Sequence, residues 1–435
     1  MQKAKKMLDI KFIRANPDII KASLVNRKAR IDIDKLIALD VDKRQLLQEV
    51  ESLKNKRNEA SKEIGELIKQ GKSAGPKKAD VKAISQKIAE IDDKVEGLSL
   101  KIAELACSIP NIPHKGVPVG PDDKANVVIK EWGKIEKKTF EFKDHIELSQ
   151  KLDIIDFERA TKVAGSHFSL FKGGGARLVR ALINYMLDVH SEKNGYTEIW
   201  PPALVCEDSM FATGQLPKMK DDMYKLAEDN LYLIPTAEVP ITNMYRDEVI
   251  SESELPICMC AYTPCFRREA GSYGKDTRGL IRVHQFDKVE LVKIVEPKNS
   301  YEEHEKILEN AEQILKGLKL PYRVVALSTG ELSFAAAKCY DIEAWAPGAE
   351  RYFEVSSVSN FEDFQARRSN IRYKDKKTQK MNFVHTLNGS GIALARTIIC
   401  ILENYQQKDG SILIPNVLRP YMGKQEYIKA SAKKC

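Results

Sequence analysis

No stretch of the 435-residue sequence approaches the roughly 20 consecutive apolar residues that a membrane-spanning helix requires. The start, MQKAKKMLDIKFIRANPD, also lacks the apolar segment of a secretory signal. Both absences argue against a helical membrane protein and lead to the expectation of a soluble, cytoplasmic one with no membrane partner. Cysteine is scarce and scattered, at Cys107, Cys206, Cys258, Cys260, Cys265, Cys339, Cys400 and Cys435, with none of the spacing of a disulfide framework. A reducing compartment fits. The tightest group, CMCAYTPC at 258–265, lacks zinc-knuckle spacing and a nearby histidine, so buried strand cysteines are expected there. Phosphate-binding fingerprints are missing too. KGGGARL at 172–178 has no Lys-Ser/Thr ending, and no Rossmann glycine pattern occurs. A nucleotide site would have to be of another kind.

What is present begins with length and charge. The chain is long enough for two domains, and 70 Lys+Arg against 62 Asp+Glu leaves a net charge of +8 that suits an anionic partner without requiring one. The clearest periodicity runs through Val81, Ile84, Ile88, Ile91, Val95, Leu98, Ile102 and Leu105, in steps of three and four, as a coiled-coil seam does. A partner seam precedes it at Leu39, Leu46, Val50, Leu53, Ala60, Ile64 and Leu67, interrupted by Lys43 and Arg57. Between them QGKSAGP, residues 70–76, has the Gly/Pro chemistry of a turn. An antiparallel helical hairpin over about 36–106 follows, with arms of roughly 40 Å at 1.5 Å per residue. A hairpin that buries its seam against itself is expected to project, either to reach a large partner or to serve as a dimerisation rod. Pro110, Pro113 and Pro118 then end the heptads, which divides the chain into a helical domain, 1–112, and a larger one, 113–435.

In the larger part helices and strands do not alternate regularly. GARLVRALINYMLDVHSEKNG at 175–195 reads as an amphipathic helix and YTEIWPP at 196–202 as a strand stopped by two prolines. DNLYLIP, YFEVSSVS at 352–359 and MNFVHTLN at 381–388 are further strand candidates, so an antiparallel sheet flanked by helices, an α+β fold, is expected. FRREAGSYGKDTRGLIRVHQFDKVELV at 266–292 carries the chemistry. Strand alternation puts Arg267 and Glu269 on one face and Arg268 on the other. It groups Arg282, His284, Phe286, Lys288 and Glu290 against Ile281, Val283, Gln285, Val289 and Leu291, with a three-glycine loop at 270–279 between the strands. Guanidinium forks suit phosphate, a ring offers a stacking face for a base, and a carboxylate accepts from an amine. The residues imply a site for a nucleotide plus an amine, or else a solvent-facing sheet with ion pairs.

FRREAGSYGKDTRGLIRVHQF closely resembles motif 2 of the class II aminoacyl-tRNA synthetases, in the form found in seryl-tRNA synthetases. TGQLPKMKDDMYKL at 213–226, LIPTAEVPITN at 233–243, FEVSSVSNFEDFQARRSNIRY at 353–373 and HTLNGSGIALARTIICILENYQ at 385–406 resemble further segments of the same family, in the same order. MLDIKFIRANPD at 7–18 resembles its usual start, and the hairpin its tRNA-binding arm. The resemblance implies an antiparallel-sheet catalytic domain that activates L-serine with ATP and Mg2+ and charges tRNA(Ser), as a homodimer built through residues 178–202 and Pro201. It implies that Arg267 holds the α-phosphate and the serine carboxylate, Glu269 meets the adenine amino group, Phe286 stacks on adenine, Arg282 lies near the phosphates and the Val283 backbone near the base. Arg268 is included as a neighbour. Thr236, Ala237, Glu238, Glu290, Asn388 and Ser390 are implied to form the serine pocket, although Thr236 and Ser390 would serve equally as a turn hydroxyl and a helix cap. Glu354 and Ser357 are implied to be magnesium ligands, with Val355 and Ser356 between them and Ser356 expected by alternation on the side of Glu354. Arg396, placed well inside a helix led by NGSG, is implied to clamp the γ-phosphate. A related enzyme charging threonine or proline, and an inactive tRNA-binding paralogue, remain alternatives.

Overall fold

The structure is a computed structural model that describes residues 8–270 and 278–430. The central part of the expected glycine loop, 271–277, lies outside the described residues.

Residues up to Pro110 form one compact unit and those from Asn111 onward another. In the first, short helices Ile10–Ala15 and Pro17–Asn26 precede α1 (Ile33–Lys69) and α2 (Gly75–Cys107). Asp32 caps α1 by accepting from the Lys35 N–H, and a proline lies in the first turn of α2, where a missing N–H costs nothing. The seam is as the periodicity expects. Val50, Ile88 and Ile91 are buried together, flanked by Leu46, Leu53, Ile84 and Val95. Ion pairs Lys87–Glu49 and Lys77–Glu63 link the two helices in antiparallel order. The helices are longer than their apolar seam. Their 37 and 33 residues correspond to about 55 and 50 Å, because charged residues with good helix propensity continue them past the last buried contact.

The second unit is built on an eight-stranded sheet: β1 (Val127–Trp132), β2 (Thr197–Glu198), β3 (Ile257–Phe266), β4 (Gln285–Val295), β5 (Tyr322–Ala326), β6 (Lys338–Ala346), β7 (Arg351–Asn360) and β8 (His385–Ala393). Their spatial order is β1-β5-β6-β7-β8-β4-β3-β2. Every pairing is antiparallel except that of β2 with β3. Helices α3 (Gly174–Asp188), α5 (Ser300–Leu318) and α7 (Leu394–Tyr405) pack on one face, where Leu182, Ile314, Ile398, Val289, Leu291, Ile342 and Val358 belong to the main core. Short helices α4 (Glu238–Asn243) and α6 (Phe364–Ser369) lie on elements of the opposite side, where Ala237, Ile241, Met259, Val292, Ile294 and Ala366 form a second core. The α+β expectation holds.

Several local expectations do not. The strand expected at 196–202 is only two residues long, since Pro201 and Pro202 cannot donate to a ladder. MNFVHTLN breaks at Val384 into Met381–Phe383, in a small separate sheet, and the start of β8. β3 ends at Phe266 and β4 begins at Gln285, so residues 267–269 and 281–284 are not strand at all. NGSG lies on β8, and α7 starts only at Leu394 with Ala393 as its N-cap, so Ser390 caps nothing. Among the described cysteines none is disulfide-bonded, and Cys260 and Cys265 are buried on β3 as expected. No helix among the described residues is long and apolar enough to cross a membrane.

Because Ile88 is buried in the middle of the hairpin seam, Ile88→Ala should destabilise the first unit by about 2 kcal/mol or more. Urea unfolding followed by far-UV circular dichroism measures this, and an unchanged midpoint would mean that the seam contributes little.

Candidate active site

One cavity of about 570 Å³ opens on the sheet face bounded by β4, β7 and β8. It is lined by Thr236, Glu238, Arg267, Glu269, Arg282, Val283, Phe286, Glu290, Glu354, Val355, Ser356, Ser357, Asn388, Ser390 and Arg396. Two residues singled out from the sequence are not brought in. Arg268 is exposed, with its backbone N–H donating to the Asp222 carbonyl at 2.8 Å. Ala237 is fully buried in the second core at the start of α4.

Its carboxylate-rich end is a hydrogen-bond network in which, among the described residues, the buried Asn388 Oδ1 has no partner. The Thr236 hydroxyl donates to Glu290 Oε2 at 3.0 Å and accepts from Lys288 Nζ at 2.9 Å and from the Glu238 N–H at 3.2 Å. Thr236 is thus a turn hydroxyl and a cavity residue together. Lys288 also pairs with Glu290. Asn388 Nδ2 donates to Glu238 Oε2 at 3.0 Å and to Glu290 Oε1 at 3.2 Å, and Gln365 Nε2 donates to Glu238 Oε1 at 2.5 Å. Two buried carboxylates share one lysine, which leaves this end with an excess of negative charge. Burial first, and the Glu290 carboxylate second, push the Glu238 carboxyl up to about 7. A small cation, such as an α-ammonium group, fits that deficit.

At the other end the Arg267 guanidinium lies over the Phe286 ring, 5.2 Å from its centroid, and its buried Nε has no hydrogen-bond partner among the described residues. Arg282 donates to Glu269 Oε2 at 2.8 Å. Arg396 donates through Nε to the Ile281 carbonyl at 3.2 Å and through Nη1 to Glu354 at 3.0 and 3.2 Å. Cations with spare donors beside an aromatic face suit a nucleoside phosphate.

Face alternation accounts for Phe286, Lys288 and Glu290, which do lie on β4. It reaches Arg267, Glu269 and Arg282 by a different route. Glu269 has φ of 50°, a left-handed conformation that bends the chain after β3 and leaves Arg267 and Glu269 both in the cavity. Across 281–284, Ile281, Arg282 and Val283 all line the cavity while His284 stacks on His167, so alternation is lost there. A register shift corrects the reading of β7 too. Ile342 faces Ser356 but Glu343 faces Glu354, so Val355 is the extra residue of a β-bulge. The bulge changes the phase of the alternation, putting Glu354 and Ser357 on one side although they are three apart. Ser356, expected beside Glu354, instead donates to the Ser390 carbonyl at 2.6 Å.

The same strand pair contributes a carboxylate missed from the sequence. Asp341, opposite Ser357, has its carboxyl pushed well above the usual range by burial and then by the Glu354 charge. Glu354, Ser357 and Asp341 are hard oxygen donors of the kind a magnesium ion takes, with Arg396 already beside Glu354.

Residues 7–113 match the family described as "Seryl-tRNA synthetase N-terminal domain" and residues 222–405 that described as "tRNA synthetase class II core domain (G, H, P, S and T)". A protein named "Serine--tRNA ligase" from Carboxydothermus hydrogenoformans is 55% identical over 417 residues, which are 96% of this chain and 98% of that one. The chain belongs to the seryl-tRNA synthetase family. A Clostridium tetani relative of the same name is 53% identical over 97% of this chain and all of its own. The Pyrococcus horikoshii seryl-tRNA synthetase solved with ATP superposes with a TM-score of 0.92, at 40% identity over 98% of this chain and 100% of that one. The Naegleria fowleri cytoplasmic enzyme with AMP gives 0.88, at 31% identity over 98% of this chain and 99% of that one. The resemblance read from motif 2 and its companion segments therefore extends over nearly the whole chain.

Lys288, Gln365 and Asp341 are the residues at the site that sequence reasoning passed over. Lys288 was visible on the charged face of β4 and went unassigned. Gln365 stands inside FEDFQARRSNIRY but reaches the site only through the packing of α6, and β6, which carries Asp341, was not read as a strand.

Glu238 generates a pH prediction. Its folded value of about 7 against an ordinary 4.5 means that the folded state holds a proton the unfolded chain has lost over that interval. Stability therefore falls as pH rises from 4.5 towards 7 and levels off above it. Thermal unfolding of Glu238→Gln should show a smaller loss of Tm than the unaltered chain across that window; parallel profiles would show that Glu238 is ionised in the folded state throughout.

Proposed function

We propose that this chain activates L-serine with ATP, releasing pyrophosphate, and transfers the seryl group to the 3′ end of tRNA(Ser). The observation that carries the reading is one cavity with a carboxylate-rich end for an amino acid and an arginine-and-aromatic end for a nucleotide, in a chain of this family.

The serine ammonium would sit between Glu238, Glu290 and Thr236, and the hydroxyl would meet the polar groups of Asn388, Ser390 and Glu290. An analogue without the hydroxyl leaves those groups buried and unpaired, which favours serine over alanine. Arg267, over Phe286 at the arginine end, would bridge the serine carboxylate and the α-phosphate. The carboxylate oxygen attacks the α-phosphorus, the bond to the β-phosphate oxygen breaks, and seryl-adenylate and pyrophosphate result. A ribose hydroxyl of the tRNA terminus then attacks the seryl carbonyl and AMP leaves. No side chain becomes covalently bound, so the acceleration comes from positioning and charge stabilisation.

Phe286 offers its ring to adenine, Glu269 an acceptor for its amino group and the Val283 backbone an edge contact, while Arg282 and Arg396 are cations for the phosphates. Glu354 and Ser357, beside Asp341, would hold Mg2+, which when bound neutralises phosphate charge. The α1–α2 hairpin is proposed to grip the tRNA body, in the cytoplasm. A homodimer is proposed through residues 178–202, where Trp200 is 77% exposed beside Tyr262.

Serine-dependent ATP–pyrophosphate exchange tests the reading. Arg267→Ala should reduce it by about 10²–10³-fold, with threonine and proline inert in the unaltered enzyme; exchange that survives the substitution would overturn the assignment of Arg267. Filter binding of tRNA(Ser) should weaken steeply between low and moderate salt, since the contacts are to phosphates; a salt-independent affinity would rule out the proposed mode of grip.

A further inference from the structure

We infer that His145 is a positioning residue for the ATP end of this site, acting through a hydrogen-bonded line from Glu403 through His145 to Leu280; the inference rests on the function proposed above. His145 is the first residue of helix His145–Leu152, whose N-cap Asp144 accepts from the N–H groups of Ile146 and Glu147. It is buried and lines no part of the cavity.

The direction of the line follows from what each group can do. The Leu280 N–H can only donate, and it meets His145 Nε2 at 3.3 Å. Nε2 therefore carries the lone pair, the neutral ring holds its proton on Nδ1, and Nδ1 donates to Glu403 Oε1 at 3.3 Å. The Glu403 carboxylate, wholly buried, is itself held. Oε1 accepts from the His145 N–H at 3.0 Å, and Oε2 from the N–H groups of Gly348 and Ala349 at 2.9 and 3.0 Å. Gly279 completes the fit. Its φ is 61°, and a Cβ there would come within 2.3 Å of His145 Nε2, so the chain lies against the ring only because the residue is glycine.

The adjoining residues are the ones that reach ATP in the proposed mechanism. The Ile281 carbonyl takes Arg396 Nε at 3.2 Å, and Arg282 pairs with Glu269. Arg396 and Glu403 are two turns apart on α7 and so share a face. One helix thus holds two consecutive residues of this stretch, Ile281 directly through Arg396 and Leu280 through His145. The amino-acid end has its own network of Thr236, Glu238, Gln365, Glu290 and Asn388, and none of 279–282 enters it.

Releasing His145 should therefore loosen ATP binding and leave serine binding alone. The test is serine-dependent pyrophosphate exchange with full-length His145→Phe and His145→Gln, with KM measured separately for ATP and serine and Tm for each variant. His145→Phe, which keeps a flat ring and removes both hydrogen bonds, should raise the KM for ATP by about tenfold with the KM for serine within about twofold. His145→Gln, whose side-chain oxygen can still accept from Leu280, should recover most of that loss. Equal shifts in both KM values alongside a lower Tm, an unchanged KM for ATP, or a His145→Gln variant no better than His145→Phe would overturn the inference. Absence of serine-dependent exchange in the unaltered chain would instead overturn the proposed function, so the two failures are distinguishable.

Discussion

The pairing of β4 with β8, in the register that sets Glu290 opposite Ser390, is the constraint on which the cavity depends. That register puts Phe286, Lys288 and Glu290 on the face toward the cavity and Val289 and Leu291 in the core beneath it. A slip of one residue would invert both sets. The ladder also carries Asn388 into reach of the two carboxylates, and its neighbour β7 brings Ser356 to the Ser390 carbonyl. Bulges at Val355 and between Ser390 and Ile392 interrupt the regular pairing next to the cavity, where they re-aim side chains without ending the sheet.

Charge divides the cavity into two ends. Glu238 and Glu290 have one lysine, Lys288, beside them, and burial followed by the Glu290 charge raises the Glu238 carboxyl to about 7. The arginine end has the opposite character, with Arg267 over Phe286 and its buried Nε without a partner among the described residues. A substrate that carries an ammonium group, a carboxylate and a neighbouring polyphosphate complements both ends together. The buried polar network ties most of the amino-acid end together, which stiffens the geometry there, while Asn388 Oδ1 keeps a buried acceptor without a partner among the described residues.

Much of this was legible in the sequence. The hairpin seam needed only heptad periodicity, because two helices that bury their stripes against each other depend on little else. The face of β4 needed only alternation, which holds wherever a strand is regular. Reading failed where the backbone is irregular. Residues 267–269 and 281–284 lie beyond the strand ends, and a left-handed Glu269 or a bulged Val355 leaves no mark in a count of two. NGSG resembled the approach to a helix and proved to be strand, since its backbone is paired with β4 and β7.

The sequence by itself determined the coiled-coil hairpin, the α+β character of the larger part, the absence of the common phosphate-binding loops and, through ordered motifs, the family. Local periodicity and residue chemistry suffice for these, because they are properties of short stretches. Strand alternation had already turned Arg268 away from Arg267, whereas tertiary structure alone decided that Lys288 and Gln365 serve the carboxylate end and that Asp341 stands beside Glu354 and Ser357. It also decided that Glu403 reaches the stretch before β4 through His145. These depend on contacts between residues far apart in the chain, and on bulges whose position is set by the strands they pair with.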